Sequence, residues 1–275
     1  MTTLIVGCGY VGSALAERLV ARGEHVFGLT RSAHALPVGV VPIRSELPSA
    51  ELTLPSSITR LVYAVAPGAR DDAAYARGYP LGLGSVLDAI DRAGANLVRA
   101  VLVSSTGVYA QDDGSLVDER SAVTSSGTAA RILEAESLLH TRLGARGVVL
   151  RLSGIYGPGR DRIVRAIREG LPAPGDPTRI GNRIHRDDAA AAIDHLLELD
   201  RPAPVYVGTD DAPVALGEVF AWIADRLGVA LAPPDASGRG ATSKRLSNAL
   251  LRTSGLSLRY STYREGYGAL IAQSP

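Results

Sequence analysis

One cysteine, Cys8, and one lysine, Lys244, occur in 275 residues. A lone cysteine excludes an intramolecular disulfide framework, the usual support of a small secreted fold. Neither sign of charge is in excess: 29 lysines and arginines stand against 28 aspartates and glutamates, a formal net charge of +1. That balance gives no reason to expect nucleic acid or an anionic membrane as partner. No apolar run approaches the roughly 20 residues of a membrane span. A strand pattern that starts at Thr2 or Thr3 leaves no room for the charged and apolar regions of a signal peptide. The expectation is a soluble cytoplasmic protein. The shortage of lysine is also a chemical constraint. Apart from Lys244, the other 28 of the 29 basic residues are arginine, so no lysine lies in the first 243 positions.

What is present is a chain 46% hydrophobic, long enough for one large α/β domain or a domain with a lobe. Apolar runs rich in Val, Ile and Leu predict strands at residues 3–6, 25–29, 40–43, 60–65, 100–104 and 148–152. Helical spacing predicts helices between them at 11–22, 73–92 and 129–143, with Gly23 and Gly94 as stops after the first two. Strands alternating with helices in this way mark βαβ units around a buried parallel sheet. Past Arg151 the pattern shortens. Pro172-Ala173-Pro174-Gly175-Asp176-Pro177 punctuates helices predicted at 163–169, 189–199 and 216–227. No internal repeat or low-complexity tract is present.

The stretch Gly7-Cys8-Gly9-Tyr10-Val11-Gly12 follows the first strand directly and opens the first helix. Glycine at the first position lets the chain reverse, at the second lets backbone approach a pyrophosphate, and at the third lets helix and strand pack closely. The orphan N–H groups and positive dipole end of the helix then face phosphate. A dinucleotide is the implied ligand, and the expected fold is an α/β, doubly wound parallel sheet of Rossmann type. Residues 1–155 would form the NAD(P)-binding domain. Residues 156–275 would be mostly a small C-terminal substrate lobe, with Val205-Tyr206-Val207 in a candidate return strand at 204–208. Holding the ribose 2′-hydroxyl of NAD usually calls for an acid at the end of the second strand. Gly28-Leu29-Thr30-Arg31-Ser32 has none, and Arg31 suits a 2′-phosphate. NADP is therefore favoured over NAD, although Arg31 also reads as an ordinary solvated loop residue. The cofactor-binding residues expected are Gly7, Gly9, Tyr10, Val11, Gly12, Thr30, Arg31, Ser32, Ala64, Val65 and Ala66.

Three later segments carry a resemblance. Val103-Ser104-Ser105-Thr106-Gly107-Val108-Tyr109 lies at the fifth strand. Leu150-Arg151-Leu152-Ser153-Gly154-Ile155-Tyr156-Gly157-Pro158-Gly159-Arg160 lies at the sixth. Arg183-Ile184-His185-Arg186-Asp187-Asp188 follows. With the glycine turn, in this order and spacing, they resemble the extended short-chain dehydrogenase/reductases, the NAD-dependent epimerase/dehydratase group. The resemblance implies a Ser/Thr at the end of the fifth strand and a Tyr-x-x-x-Lys pair on the next helix, both on one face at i, i+4. Aligning on Glu136 and Ser137 puts Thr128 and Ile132 at those two positions. A shifted frame pairs Gly127 with Arg131, whose high pKa makes it unsuitable as a proton carrier. No tyrosine lies between Tyr109 and Tyr156, so the pair is missing in every frame. Gly154 replaces a common asparagine, and Thr106-Gly107 replaces the Asp-Glu of sugar dehydratases.

By that resemblance the catalytic candidates are Ser105, whose hydroxyl can donate to a substrate carbonyl, Tyr109 as a substitute proton donor, and His185 as an acid/base near neutral pH. Each also has a plain structural reading: Ser105 as a strand-end cap, Tyr109 packed under the next loop, His185 as a fixed scaffold residue. Arg160, Arg162, Arg165, Arg179 and Arg183 can hold an anionic ligand, or lie on solvated faces. Asp112-Asp113 and Asp187-Asp188 lack metal spacing, and Asp71-Asp72 reads as a helix cap. Two functions stand open, besides the plain reading of a family relic whose cofactor only stabilises the fold. One is an atypical NAD(P)-dependent oxidoreductase or epimerase-like enzyme acting on a small, anionic or nucleotide-linked substrate. The other is a non-catalytic NADP(H)-binding sensor. A homodimer is compatible with either.

Overall fold

A computed structural model describes residues 1–31, 36–173, 176–233 and 243–273. In chain order its first elements are β1 (Thr2–Val6), α1 (Tyr10–Ala21), β2 (His25–Thr30), β3 (Val40–Arg44), β4 (Arg60–Tyr63), α2 (Asp72–Ala76), α3 (Gly82–Arg92) and β5 (Arg99–Ser105). Then come β6 (Asp113–Val117), α4 (Thr128–Leu143), β7 (Gly147–Leu152), β8 (Gly154–Tyr156), α5 (Arg162–Arg168), β9 (Ile180–Gly181) and β10 (Arg183–His185). The chain ends with α6 (Arg186–Glu198), β11 (Val205–Gly208), β12 (Val214–Ala215), α7 (Leu216–Leu227), β13 (Ser243–Leu246), α8 (Ala249–Thr253) and α9 (Tyr263–Gln273).

Seven strands form one parallel sheet in the order β11-β7-β5-β4-β1-β2-β3, so the direction of winding reverses between β1 and β4. This is the doubly wound α/β arrangement, and such folds bind ligands outside the carboxyl ends of the strands at the reversal. Leu4, Ile5, Val6, Leu61, Val62 and Tyr63 are wholly buried, as the continuous apolar runs of β1 and β4 require. Helix α1 buries Val11, Leu15 and Leu19, one face at i, i+4, i+8. It stops where Gly23 adopts φ +77°, with Gly23 and Glu24 donating to Val20 and Leu19. Gly94, at φ +64°, ends α3 in the same manner.

The helix predicted over 73–92 is interrupted. Arg77–Leu81 widens into a π turn between α2 and α3. Pro80 has no N–H to give the Ala76 carbonyl, the Tyr63 hydroxyl donates to Gly78 O at 2.7 Å, and Gly82 N reaches back to Arg77 O. Asp71 caps α2 by accepting from Ala74 N at 2.8 Å. The strand predicted over 60–65 ends at Tyr63, although Ala64 N still donates to Val6 O at 2.8 Å.

The chain divides into two compact units. The first comprises residues 1–108, 124–151 and 190–206; the second comprises 109–123, 152–189 and 207–275. The second unit has its own core, in which α5, α7 and α9 enclose Val164, Ile167, Phe220, Ile223, Tyr263, Tyr267 and Leu270 beside Tyr156. Three two-stranded sheets, β10-β8, β12-β9 and β13-β6, complete it. No helix among the described residues is long and apolar enough to cross a membrane.

Candidate functional site

Gly7 leaves the end of β1 at φ +84°, and a Cβ there would stand 2.6 Å from Ala64 O. A Cβ on Gly12 would stand 2.5 Å from Gly7 O and 3.1 Å from Ile5 Cγ2. These two glycines are therefore demanded by backbone packed on backbone, at the point where the sheet reverses. Gly9 differs, because a Cβ there would meet nothing within 4 Å. Its neighbour Cys8 is buried, which pushes the thiol pKa up and keeps it out of thiolate chemistry. Tyr10, Val11 and Gly12 form the first turn of α1. No side chain caps that turn and no acid lies in it, so its N-terminal dipole faces open space uncompensated. The arrangement suits an anion, and its residues fit the pyrophosphate of a dinucleotide.

The flanking candidates lie at neighbouring strand ends. Thr30 is buried at the end of β2, and Arg31 is exposed just beyond it, its Nη1 3.9 Å from where a Cβ on Gly68 would stand. Ala64 and Val65 are half-buried and Ala66 exposed, directly after β4. Ser32 lies outside the described residues.

Beneath β5, three distant residues form a buried network in the first unit. The Ser104 hydroxyl donates to Glu136 Oε1 at 2.5 Å, and Arg151 holds the same carboxylate through Nε at 3.0 Å and Nη2 at 2.6 Å. Ser105, the next residue, is half-buried and its Oγ accepts from Gly107 N at 3.0 Å. That bond makes Ser105 the cap of a single 3₁₀ turn and leaves its own hydroxyl proton available for donation.

Tyr109 and His185 belong to the second unit. Tyr109 is 3% exposed, and Lys244 Nζ donates to its carbonyl at 2.6 Å while lying 5.9 Å from the centre of its ring. His185 is 1% exposed, with its ring 3.9 Å from that of Tyr260 and 5.3 Å from that of Tyr156. Its Nδ1 accepts from Asp187 N at 3.2 Å. Burial lowers its pKa to about 4, against the attraction of Asp187. A neutral imidazole sealed among tyrosines holds the start of α6 in place. Asp188 does similar work, accepting from Arg259 N at 2.7 Å and Tyr260 N at 2.9 Å.

Of the five arginines expected near a substrate, Arg183 is taken up by the fold. It is 5% exposed and donates to Ala212 O and Gly181 O. Arg165 pairs with Asp161 at 3.1 Å on the surface, and Arg160, Arg162 and Arg179 are exposed.

Residues 3–208 match the NAD-dependent epimerase/dehydratase family. The chain belongs to that family. It is 30% identical over 244 residues to Protein YeeZ of Escherichia coli (strain K12), with 84% of each chain covered. A structure named for the NAD-dependent epimerase/dehydratases, from Methylobacillus flagellatus, is 39% identical, with a TM-score of 0.81 over 98% of this chain and 97% of that one. MoeE5, solved with UDP-glucose and NAD, is 25% identical, with a TM-score of 0.83 over 99% and 98%.

The sequence of α4, from Thr128 to Leu143, contains neither tyrosine nor lysine. Two features of the site escaped the sequence. The Ser104–Glu136–Arg151 network joins three elements whose spacing carries no local motif, although each residue sat within or beside a recognised segment. Lys244 beside Tyr109 is the other, and its one available signal was the rarity of lysine itself.

Proposed function

We propose that the protein binds NADP(H) on the Gly7–Gly12 turn and uses it, as an atypical oxidoreductase or epimerase-like enzyme, on a small nucleotide-linked substrate. The observation that carries this reading is the turn itself: Gly7 and Gly12 pressed against backbone, Gly9 open, and the first turn of α1 uncapped. MoeE5, with UDP-glucose and NAD, supports both the dinucleotide and the nucleotide-linked substrate. When bound, the nicotinamide supplies or accepts hydride. Arg31 provides the cation for the 2′-phosphate, and Thr30 places no competing carboxylate there. Ser105 orients a substrate oxygen through its hydroxyl, and Tyr109 gives or takes the proton. A cytoplasmic setting fits a chain whose one cysteine is buried.

Direct titration with NADPH and NADH tests the cofactor. NADPH is expected to bind the tighter, and Arg31→Ala to weaken NADPH roughly tenfold, the worth of one charge-assisted contact of about 1.4 kcal/mol, with NADH unchanged. Equal affinities in the unmodified protein would sink the assignment. A second reading, a dinucleotide-dependent sensor without turnover, draws on the absence of tyrosine and lysine from α4. Turnover that Ser105→Ala abolishes decides for the enzyme.

A further inference from the structure

Two polar atoms buried in the second unit, Tyr156 Oη and Asp210 Oδ2, have no hydrogen-bond partner among the described residues. Their residues are 5% and 2% exposed, so bulk solvent reaches neither. Native folds pair nearly all such groups, because an unpaired one has lost its hydration for nothing. The two atoms share one neighbourhood. Burial raises the pKa of the Tyr156 hydroxyl, and the nearby groups that act on it include Tyr267, Asp210 and Arg183. The Tyr267 ring centre lies 4.5 Å from that of Tyr156. Arg183 Nη1 stands 3.7 Å from Asp210 Oδ2, longer than a hydrogen bond, and the guanidinium is turned to the carbonyls of Ala212 and Gly181 at 3.2 and 2.9 Å.

The backbone sets these groups around a common point. Tyr156 lies on β8, which pairs with β10, and β10 carries Arg183. Asp210 N donates to Arg183 O at 2.7 Å, while Asp210 Oδ1 accepts from Ala212 N at 3.2 Å and leaves Oδ2 as the free oxygen. Helix α9 presents Gly266 here, where a Cβ would overlap the Tyr156 hydroxyl. The chain thus omits a side chain from a helix to seat a hydroxyl that then meets no protein partner.

We propose that this point is a binding site for one buried water, which joins Tyr156 Oη to Asp210 Oδ2 with Arg183 Nη1 as its third partner. A held water needs two to four polar neighbours, and these three supply them. An ion suits the place less well, since Arg183 repels a cation and Asp210 an anion. The bridge serves both states of the carboxyl. When Asp210 is ionised, the phenol donates to the water and the water donates to Oδ2. Burial raises the Asp210 pKa to about 7, and the protonated acid reverses the direction: Oδ2 donates to the water and the water donates to Tyr156 Oη. Either way the water ties the tyrosine of the Tyr-Gly-Pro-Gly segment to the turn that follows β11, and gives its hydroxyl an inward, structural task.

Two measurements test the site. A high-resolution crystal structure of the unmodified protein should show one water at about 2.6–3.2 Å from both Tyr156 Oη and Asp210 Oδ2. No water there, or a water on only one of the two atoms, overturns the bridge. Urea unfolding of Tyr156→Phe then reads the sign of the hydroxyl's contribution. A hydroxyl bonded to a held water is missed when it is removed, so the variant should lose roughly fivefold in its folding equilibrium constant. A hydroxyl with no partner is a burden, and its removal leaves the midpoint unchanged or raises it; that result also overturns the site. The crystallographic measurement needs no variant and stands if Tyr156→Phe does not fold.

Discussion

Gly7 and Gly9 lie two positions apart and make opposite demands on an added methyl group. At Gly7 the backbone is left-handed, φ +84°, and the methyl would collide with Ala64 O at 2.6 Å. Both the conformational strain and the collision fall on the folded state, so Gly7→Ala is expected to cost about 2–4 kcal/mol of stability. At Gly9 a methyl meets nothing. Gly9→Ala should fold with an unchanged melting temperature, yet fill the space through which backbone approaches a phosphate. Thermal melts and dinucleotide titration of the two variants separate these effects. A Gly9→Ala protein that binds NADPH as well as the parent would remove Gly9 from the phosphate site. The distinction between two glycines of one motif is invisible in the letters and follows only from what surrounds each Cα.

Helix α4 shows the same limit at the scale of an element. Its existence and extent, predicted over 129–143 and observed over Thr128–Leu143, follow from the spacing of Ala129, Ile132, Ala135 and Leu139 on one buried face. What locks it is Glu136, whose partners Ser104 and Arg151 come from β5 and β7. Periodicity reports which face of a helix is buried, never which distant charge waits there. The π turn at Arg77–Leu81 had one local signal, Pro80 inside the predicted helix, while the Tyr63 hydroxyl that takes up the Gly78 carbonyl comes from β4 and carries none. By contrast, the glycine turn and the Gly23 and Gly94 stops were legible because each is decided by conformations a few residues wide. The Glu136–Arg151 pair is 6–7% exposed at both side chains. Arg151→Met strands a buried carboxylate and should cost about 3–5 kcal/mol, whereas Glu136→Leu combined with Arg151→Met should recover most of that loss. Denaturant unfolding of both single variants and the double gives the answer. Simple addition of the two losses would mean that the pair is not acting as one unit.

Across the whole molecule, two buried groups of the second unit pull stability in opposite directions as pH changes. His185 titrates at about 4 in the folded chain against 6.5 for a free histidine, chiefly through burial. The unfolded chain binds that proton more readily, so stability falls as pH drops from 6.5 to about 4. Asp210 is 2% exposed; its Oδ1 accepts from Ala212 N at 3.2 Å, and its Oδ2 lies 3.7 Å from Arg183, whose own donors face carbonyls. Burial, only partly offset by Arg183, raises its pKa from 3.8 to about 7. Here the folded chain binds the proton more readily, so stability falls as pH rises from about 4 to 7 and is level above that. One proton gives a slope of about 1.4 kcal/mol per pH unit. The two slopes oppose each other between about pH 4 and 6.5, so these two groups together contribute little net pH dependence there. Asp210→Asn keeps the acceptor for Ala212 N and removes the falling slope. Its stability should therefore rise with pH across that window and exceed that of the parent above pH 7. Urea midpoints measured on both proteins across the range test this, and parallel profiles would show that Asp210 is already ionised in the fold.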